Sequence, residues 1–189
     1  VKINSSIVTG HFPKQDHQDF AIEVLQQMNY DFNRGRLDDT VHPFEITLNL
    51  DDVRITTRYD ENDFRMAVFG IIHEAGHALY EQNIHPKLAG TILATGTSMG
   101  IHESQSLFWE NFVGRSKAFW NANKNLFKSY APDYLQSVEL EDFYKAINEV
   151  KPTMIRIEAD ELTYVLHIVI RYELEKALIN GEIAVSELP

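Results

Sequence analysis

The stretch IIHEAGHALYEQ, residues 71–82, sets two histidines and a glutamate inside a run that is otherwise mostly apolar. Burying polar groups is costly unless something satisfies them. His73, Glu74 and His77 must therefore meet either a bound ion or a hydrogen-bond network. The periodicity runs back to Asn62, a residue suited to cap a helix, and forward to Gln82, so the stretch reads as part of one long helix. On a helix, residues four apart stack on one face. His73 and His77 can then offer two imidazole nitrogens to a single ion at about 2 Å. Glu74 stands beside them, close enough to touch a water on that ion but poorly placed to be a ligand. This is the HEXXH arrangement, two zinc ligands and a carboxylate general base. Gly70, one turn earlier on the same face, leaves room for a ligand.

A hydrolytic zinc needs a third protein ligand and one open position. The metzincin pattern would put Gly at 80 and His at 83, and Tyr80 and Asn83 exclude it. The next segment, HPKLAGTILATGTSMG (85–100), is punctuated by Pro86, Gly90, Gly96 and Gly100 and reads as an ordered loop with room for a short helix. A second long helix is predicted from Ile101 through Trp109 and Phe112 toward Trp120. It offers Glu103 as the third ligand and His102 as its competitor. Their side chains point about 100° apart on a helix, so the two are not expected to ligate together. His85, beside Pro86, reads as a loop residue.

Further outward, Phe20, Val24, Leu25 and Met28 recur at helical spacing, with Gly35 beyond the helix end. HPFEITLNL (42–50) and VRITTRY (53–59) are β-rich runs around Asp51-Asp52, which predicts a hairpin. A shorter helix is expected over 139–149, and the longest from Pro152 to Asn180, closed by Gly181. That last helix carries Arg156, Asp160, Thr163, Tyr164, His167 and Arg171 at three- and four-residue steps, while Ile157, Leu162, Val165, Leu166, Ile168, Val169 and Ile170 cover most other directions. One reading is a solvated face with Arg156–Asp160 pairing. The favoured reading is a largely buried helix whose polar stripe lines a cavity, with Tyr164 or His167 stabilising an oxyanion and an arginine holding a carboxylate. The fold class expected is mainly α, a helical core with one small β-hairpin.

At 189 residues the chain has the size of one domain, expected to span 1–189. Hydrophobic residues make up 44% and charged residues 24%, as in a globular chain. No apolar run approaches the roughly 18 residues of a membrane span, and no basic-then-apolar leader is visible at the start. The absence of cysteine removes disulfides and thiolate-bound zinc. A net charge of -11 argues against nucleic acid or an anionic membrane as partner. A cytoplasmic location is expected. The start at Val1 without an initiator Met, and the end at VSELP, where Ser186 could cap a further helix, suggest a fragment of a longer helical protein.

Five motifs in order, HPF (42–44), DVRIT (52–56), HEAGH (73–77), HESQ (102–105) and IRIEAD (155–160), make the chain resemble the thermostable carboxypeptidase family of zinc metallopeptidases, the carboxypeptidase Taq type. The resemblance implies a mostly helical fold with an active-site groove, removal of C-terminal residues with broad specificity, and a homodimer. It implies that His73, His77 and Glu103 bind zinc, or cobalt in its place, and that Glu74 is the catalytic base. It implies that Arg54 and Arg156 help bind the substrate's terminal carboxylate, and it makes His42 an active-site neighbour. Members of the family are longer, with N-terminal helices that help roof the groove, and a further motif of the form GxxQDxHW lies beyond the end of this chain, so an intact metal centre in an incomplete groove is expected. Two rivals remain: an endopeptidase or oligopeptidase with the same chemistry, and a metal-binding fragment without catalysis.

Overall fold

The computed structural model describes residues 4–188. These fall into two compact units, Val1–Ile147 and Asn148–Pro189.

In the first unit, helix α1 (Lys14–Gln27) buries Phe20, Val24 and Leu25, the positions its spacing marks out. It stops well before Gly35. Asn29 takes a left-handed φ of 63°, and the Tyr30 and Asn29 amides donate back to the Leu25 and Gln26 carbonyls. That is the pairing that ends a helix when one residue adopts the left-handed conformation. Gly35 has a different reason to be glycine: a Cβ there would lie 2.0 Å from the Val53 carbonyl.

Strands β1 (Leu37–Asp39), β2 (Glu45–Asn49) and β3 (Asp52–Thr57) form a sheet in the order β1-β3-β2. β2 and β3 are the expected antiparallel hairpin, with Ile46 opposite Arg54. The sheet is larger than the hairpin, because β1 adds in parallel to β3. Its sequence, Leu-Asp-Asp, is too short to show an alternation.

Helix α2 (Phe64–Gln82) carries HEAGH and is capped by Asp63, whose carboxylate accepts from the Arg65 amide, rather than by Asn62. Short helical turns follow at Pro86–Leu88. The expected second long helix is instead three pieces. Helix α3 (Met99–Leu107), capped by Ser98, runs into a π-helical stretch, Phe108–Gly114, and a separate helix α4 (Lys117–Tyr130) starts under its own Ser116 cap. The Arg115 amide reaches five residues back to the Glu110 carbonyl, which is the wider winding that ends the α-helical register. Helices α5 (Asp133–Gln136) and α6 (Leu140–Ile147) complete the unit. Phe12, Phe20, Phe64, Trp120, Phe127 and Phe143 meet in its core, with Phe64 stacked on Phe143 at 5.7 Å and Trp120 edge-on to Phe143 at 4.7 Å.

The second unit contains helix α7 (Glu161–Ile179), preceded by a 3-10 turn, Arg156–Glu158. The helix therefore begins nine residues later than Pro152. Asp160 caps it, accepting from the Leu162 and Thr163 amides, which leaves Arg156 outside the helix. The expectation of a largely buried helix is not met among the described residues: Leu162 is 67% and Val165 58% exposed, and no residue of α7 is buried. Burial requires a covering layer, and the described residues of the second unit by themselves supply none over this face. Among the described residues, no helix is long and apolar enough to cross a membrane.

Candidate metal centre

Helix α2 is the most enclosed helix of the first unit, and HEAGH sits in its middle. What brings a second helix against it is Gly76. A Cβ there would lie 2.6 Å from Ser106 Cα and 2.8 Å from the Gln105 carbonyl, so α3 packs directly on α2 backbone. This close approach carries Glu103 to the histidines. Glu103 Oε2 lies 3.2 Å from His77 Nε2 and 3.6 Å from His73 Nε2, and the three potential ligand atoms lie within 4.8 Å of one another. Two donors that each stand about 2 Å from a tetrahedral ion are about 3.3 Å apart. The donor set, two imidazoles and a carboxylate, is also the one zinc takes in hydrolytic sites. These residues fit a divalent cation. Above His73, a Cβ on Gly70 would meet only Thr57 Oγ1, at 4.0 Å, so that side is open as its glycine suggests.

Both imidazoles are held from behind. His73 Nδ1 lies 2.9 Å from Glu110 Oε2, and Arg115 donates to the other oxygen of Glu110 at 2.9 Å while stacking on Phe69. The π-helical stretch aims Glu110 at His73. His77 Nδ1 lies 2.7 Å from His102 Nδ1, and His102 Nε2 lies 2.7 Å from Glu81 Oε1. His102 therefore does not compete with Glu103 for the ligand position; it is buried behind His77.

The carboxylates differ in their acidity. Contact with His77, against a penalty from burial and with the further pull of both histidines and a hydrogen bond from Ser106, lowers Glu103 to about 2. Burial pushes Glu110 up, but its hydrogen bond to His73 and the Arg115 charge more than offset this and hold it below the ordinary value. Glu74 goes the other way. Burial raises its pKa, and Glu103 and Glu45 add to the rise, against the histidines. Burial also works against a charge on His73, but its hydrogen bond to Glu110 and the surrounding carboxylates raise it overall.

The other sequence-derived candidates are placed as follows. Arg54 sits on β3 and makes a two-pronged ion pair with Asp52, at 2.7 and 2.8 Å. His42 is exposed in the loop before β2. In the second unit, Arg156 donates to the Tyr164 hydroxyl at 2.6 Å, and His167 lies one turn further along α7, partly exposed. Glu81, Glu110 and Arg115 are the partners that spacing alone did not single out. Glu81 lies four residues after His77 and Glu110 seven after Glu103, so helical periodicity held a signal for both.

A helix bearing HEXXH, met by a glutamate from the next helix in a mostly helical frame, is the layout of a HEXXH metallopeptidase. The chain belongs to the carboxypeptidase Taq (M32) metallopeptidase family, whose model matches residues 1–189. It is 56% identical over 188 residues to carboxypeptidase 1 of Bacillus subtilis, covering 100% of this chain and 38% of that protein. It is 48% identical to thermostable carboxypeptidase 1 of Thermus thermophilus, covering 98% of this chain and 36% of that one. The crystal structure of an M32 carboxypeptidase from Deinococcus radiodurans superposes with a TM-score of 0.95 at 44% identity, over 100% of this chain and 38% of that chain. The chain thus spans well under half the length of the relatives it matches.

Proposed function

We propose that this chain carries the catalytic centre of a zinc metallocarboxypeptidase, which releases C-terminal amino acids from peptides with broad specificity. The observation that carries the reading is the meeting of His73 Nε2, His77 Nε2 and Glu103 Oε2 at the buried Glu74. The family and the names of its relatives as carboxypeptidases support the substrate class. His73, His77 and Glu103 hold the ion, zinc or cobalt in its place. When bound, such an ion would make water more acidic and would polarise the scissile carbonyl.

The chain's own groups do the rest. Glu74, whose burial raises its proton affinity, takes a proton from the attacking water and returns it to the leaving amine. Exopeptidase action requires a cation for the substrate's free carboxylate, and an arginine can take it with two parallel hydrogen bonds. Arg54 and Arg156 are assigned this role. For Arg54 the Asp52 ion pair is then the contact that substrate exchanges or leaves in place. Tyr164 or His167 is assigned to the oxyanion, and His42 to the edge of the site. The family match runs through both units, which supports reading 1–189 as part of one catalytic core. A cytoplasmic homodimer is proposed with it, and the net charge of -11 supports a partner other than nucleic acid or an anionic membrane.

The test pairs elemental analysis with peptide cleavage. One zinc per chain and release of C-terminal residues from free but not amidated peptides are expected. Cleavage of amidated peptides at a comparable rate would make the enzyme an endopeptidase or oligopeptidase. A fully loaded chain without turnover would make it a metal-binding portion whose catalysis needs further sequence.

A further inference from the structure

The two imidazoles of HEAGH are supported in different ways. Nδ1 of His73 meets a carboxylate directly, whereas Nδ1 of His77 meets a second imidazole, whose far nitrogen meets a carboxylate. We infer that Glu81 and His102 are positioning residues that lock His77 in the tautomer with a bare Nε2, so that the metal site is set by a relay three side chains long. The inference rests on the proposed ligand role of His77 and adds residues that touch neither ion nor substrate.

The direction of the relay follows from what each group can donate. A carboxylate has no proton to give, so Glu81 can only accept. Its Oε1 already accepts from the Gly96 amide at 2.8 Å, and the 2.7 Å contact with His102 Nε2 makes that nitrogen the donor. A neutral imidazole has a single N–H, so His102 Nδ1 is left as an acceptor. His77 Nδ1, 2.7 Å away, must then be the N–H. The one proton of the His77 ring is thereby placed on the side away from Glu103, and Nε2 keeps its lone pair facing Glu103 Oε2. Reversing either contact would put the proton on Nε2 and close the ligand position.

The surroundings are built to hold this arrangement. Glu81 is 2% exposed and His102 9%. Tyr80 packs edge-on against the His102 ring at 5.1 Å. Gly96 presses on the ring's other part: a Cβ there would lie 2.4 Å from His102 Cδ2 and 3.0 Å from Glu81 Oε1. The loop between α2 and α3 therefore closes over the relay at a residue without a side chain, and its backbone amide supplies a hydrogen bond to the carboxylate.

Two amides imitate half of the imidazole each. Asn at 102 places an oxygen near the Nδ1 position and can still accept from His77. Gln at 102 places its amide nitrogen near Nε2 and can still donate to Glu81, but offers His77 no acceptor from that atom. Zinc affinity is measured by competition with a chromogenic chelator, for variants whose circular dichroism matches the unaltered chain. Loss of an outer partner of a metal-binding histidine weakens binding roughly 10–100-fold. We expect His102→Phe and His102→Gln to show that loss and His102→Asn to stay close to the unaltered chain. Equal affinities for Asn and Gln, or tight binding by Phe, would overturn the relay. Nitrogen-15 NMR of the metal-free chain tests it without zinc: the His77 ring should show its proton on Nδ1, and an Nε2–H signal would refute the inference even if every variant misfolds. If the unaltered chain takes up no zinc, the ligand reading fails by itself, and the tautomer still decides the relay.

Discussion

Glu74, Glu103 and Glu110 are three glutamates around one pair of histidines, and their surroundings drive them apart. Glu103 and Glu110 face positive or proton-donating partners and are held as carboxylates, whereas Glu74 is enclosed and its pKa is raised. Neighbouring carboxylates pushed in opposite directions mark the division between fixed charge and proton carrier. Replacing Glu74 by Gln keeps the shape and removes the proposed base. Turnover should fall about 10²–10⁴-fold, the usual contribution of general acid–base catalysis, while elemental analysis still finds one zinc per chain. Residual turnover near the unaltered rate would remove Glu74 from the mechanism. His73, Glu74 and His77 were legible because a four-residue step on a helix is itself a geometric statement. Glu103 needed its place at the head of the following helix. The spacing offers His102 only as a rival ligand and marks Glu81 only as lying on the His77 face, because their role behind His77 depends on how a loop containing Gly96 folds over them.

Among the elements, the contact between α2 and α3 decides whether the proposed site exists, since the two helices contribute its candidate ligands separately. Gly76 is a point of close approach, and what it faces is backbone, which cannot swing aside as a side chain does. Gly76→Ala should push α3 away, destabilise the chain by about 1–3 kcal/mol as overpacking does, and weaken zinc binding at least tenfold through displacement of Glu103. Gly100→Ala, on α3 itself, is the control, because a Cβ there meets nothing within 4 Å among the described residues. It should leave zinc affinity unchanged and shift stability by no more than about 1 kcal/mol. Isothermal titration with zinc and thermal melts of both variants separate the outcomes; equal zinc affinity in the two would show that α3 tolerates the shift. The helices themselves were legible from periodicity. The π-helical winding at Phe108–Gly114 was not, because its residues read as a continuous helix and only the five-residue reach from Arg115 to Glu110 reveals the break.

For the molecule as a whole, the first unit's core explains why acid should unfold it before the carboxylates alone require. His17 is fully buried beside Phe12, with ring centroids 4.3 Å apart, and neither ring nitrogen has a hydrogen-bond partner among the described residues. Burial lowers its pKa from 6.5 to about 4, against the opposing pull of Glu61, Asp60 and Asp63. The folded chain therefore keeps His17 neutral through a range in which the unfolded chain takes up the proton. The stability tied to His17 is fully present above about pH 6.5, falls as pH drops, and is reduced by roughly 3 kcal/mol by pH 4. Glu103, lowered to about 2, adds a separate loss that begins below its unfolded value of 4.5 and continues down to that point. The two windows barely overlap, so one substitution distinguishes them. His17→Phe keeps an aromatic ring against Phe12 and removes the titrating group. Both tryptophans, Trp109 and Trp120, lie in this unit, so their fluorescence follows its denaturation. In guanidinium melts the variant should lose the decline between pH 6.5 and 4.5 and retain the decline below 4.5. An undiminished slope in the upper window would mean that some other buried group, and not His17, makes the fold sensitive to mild acid.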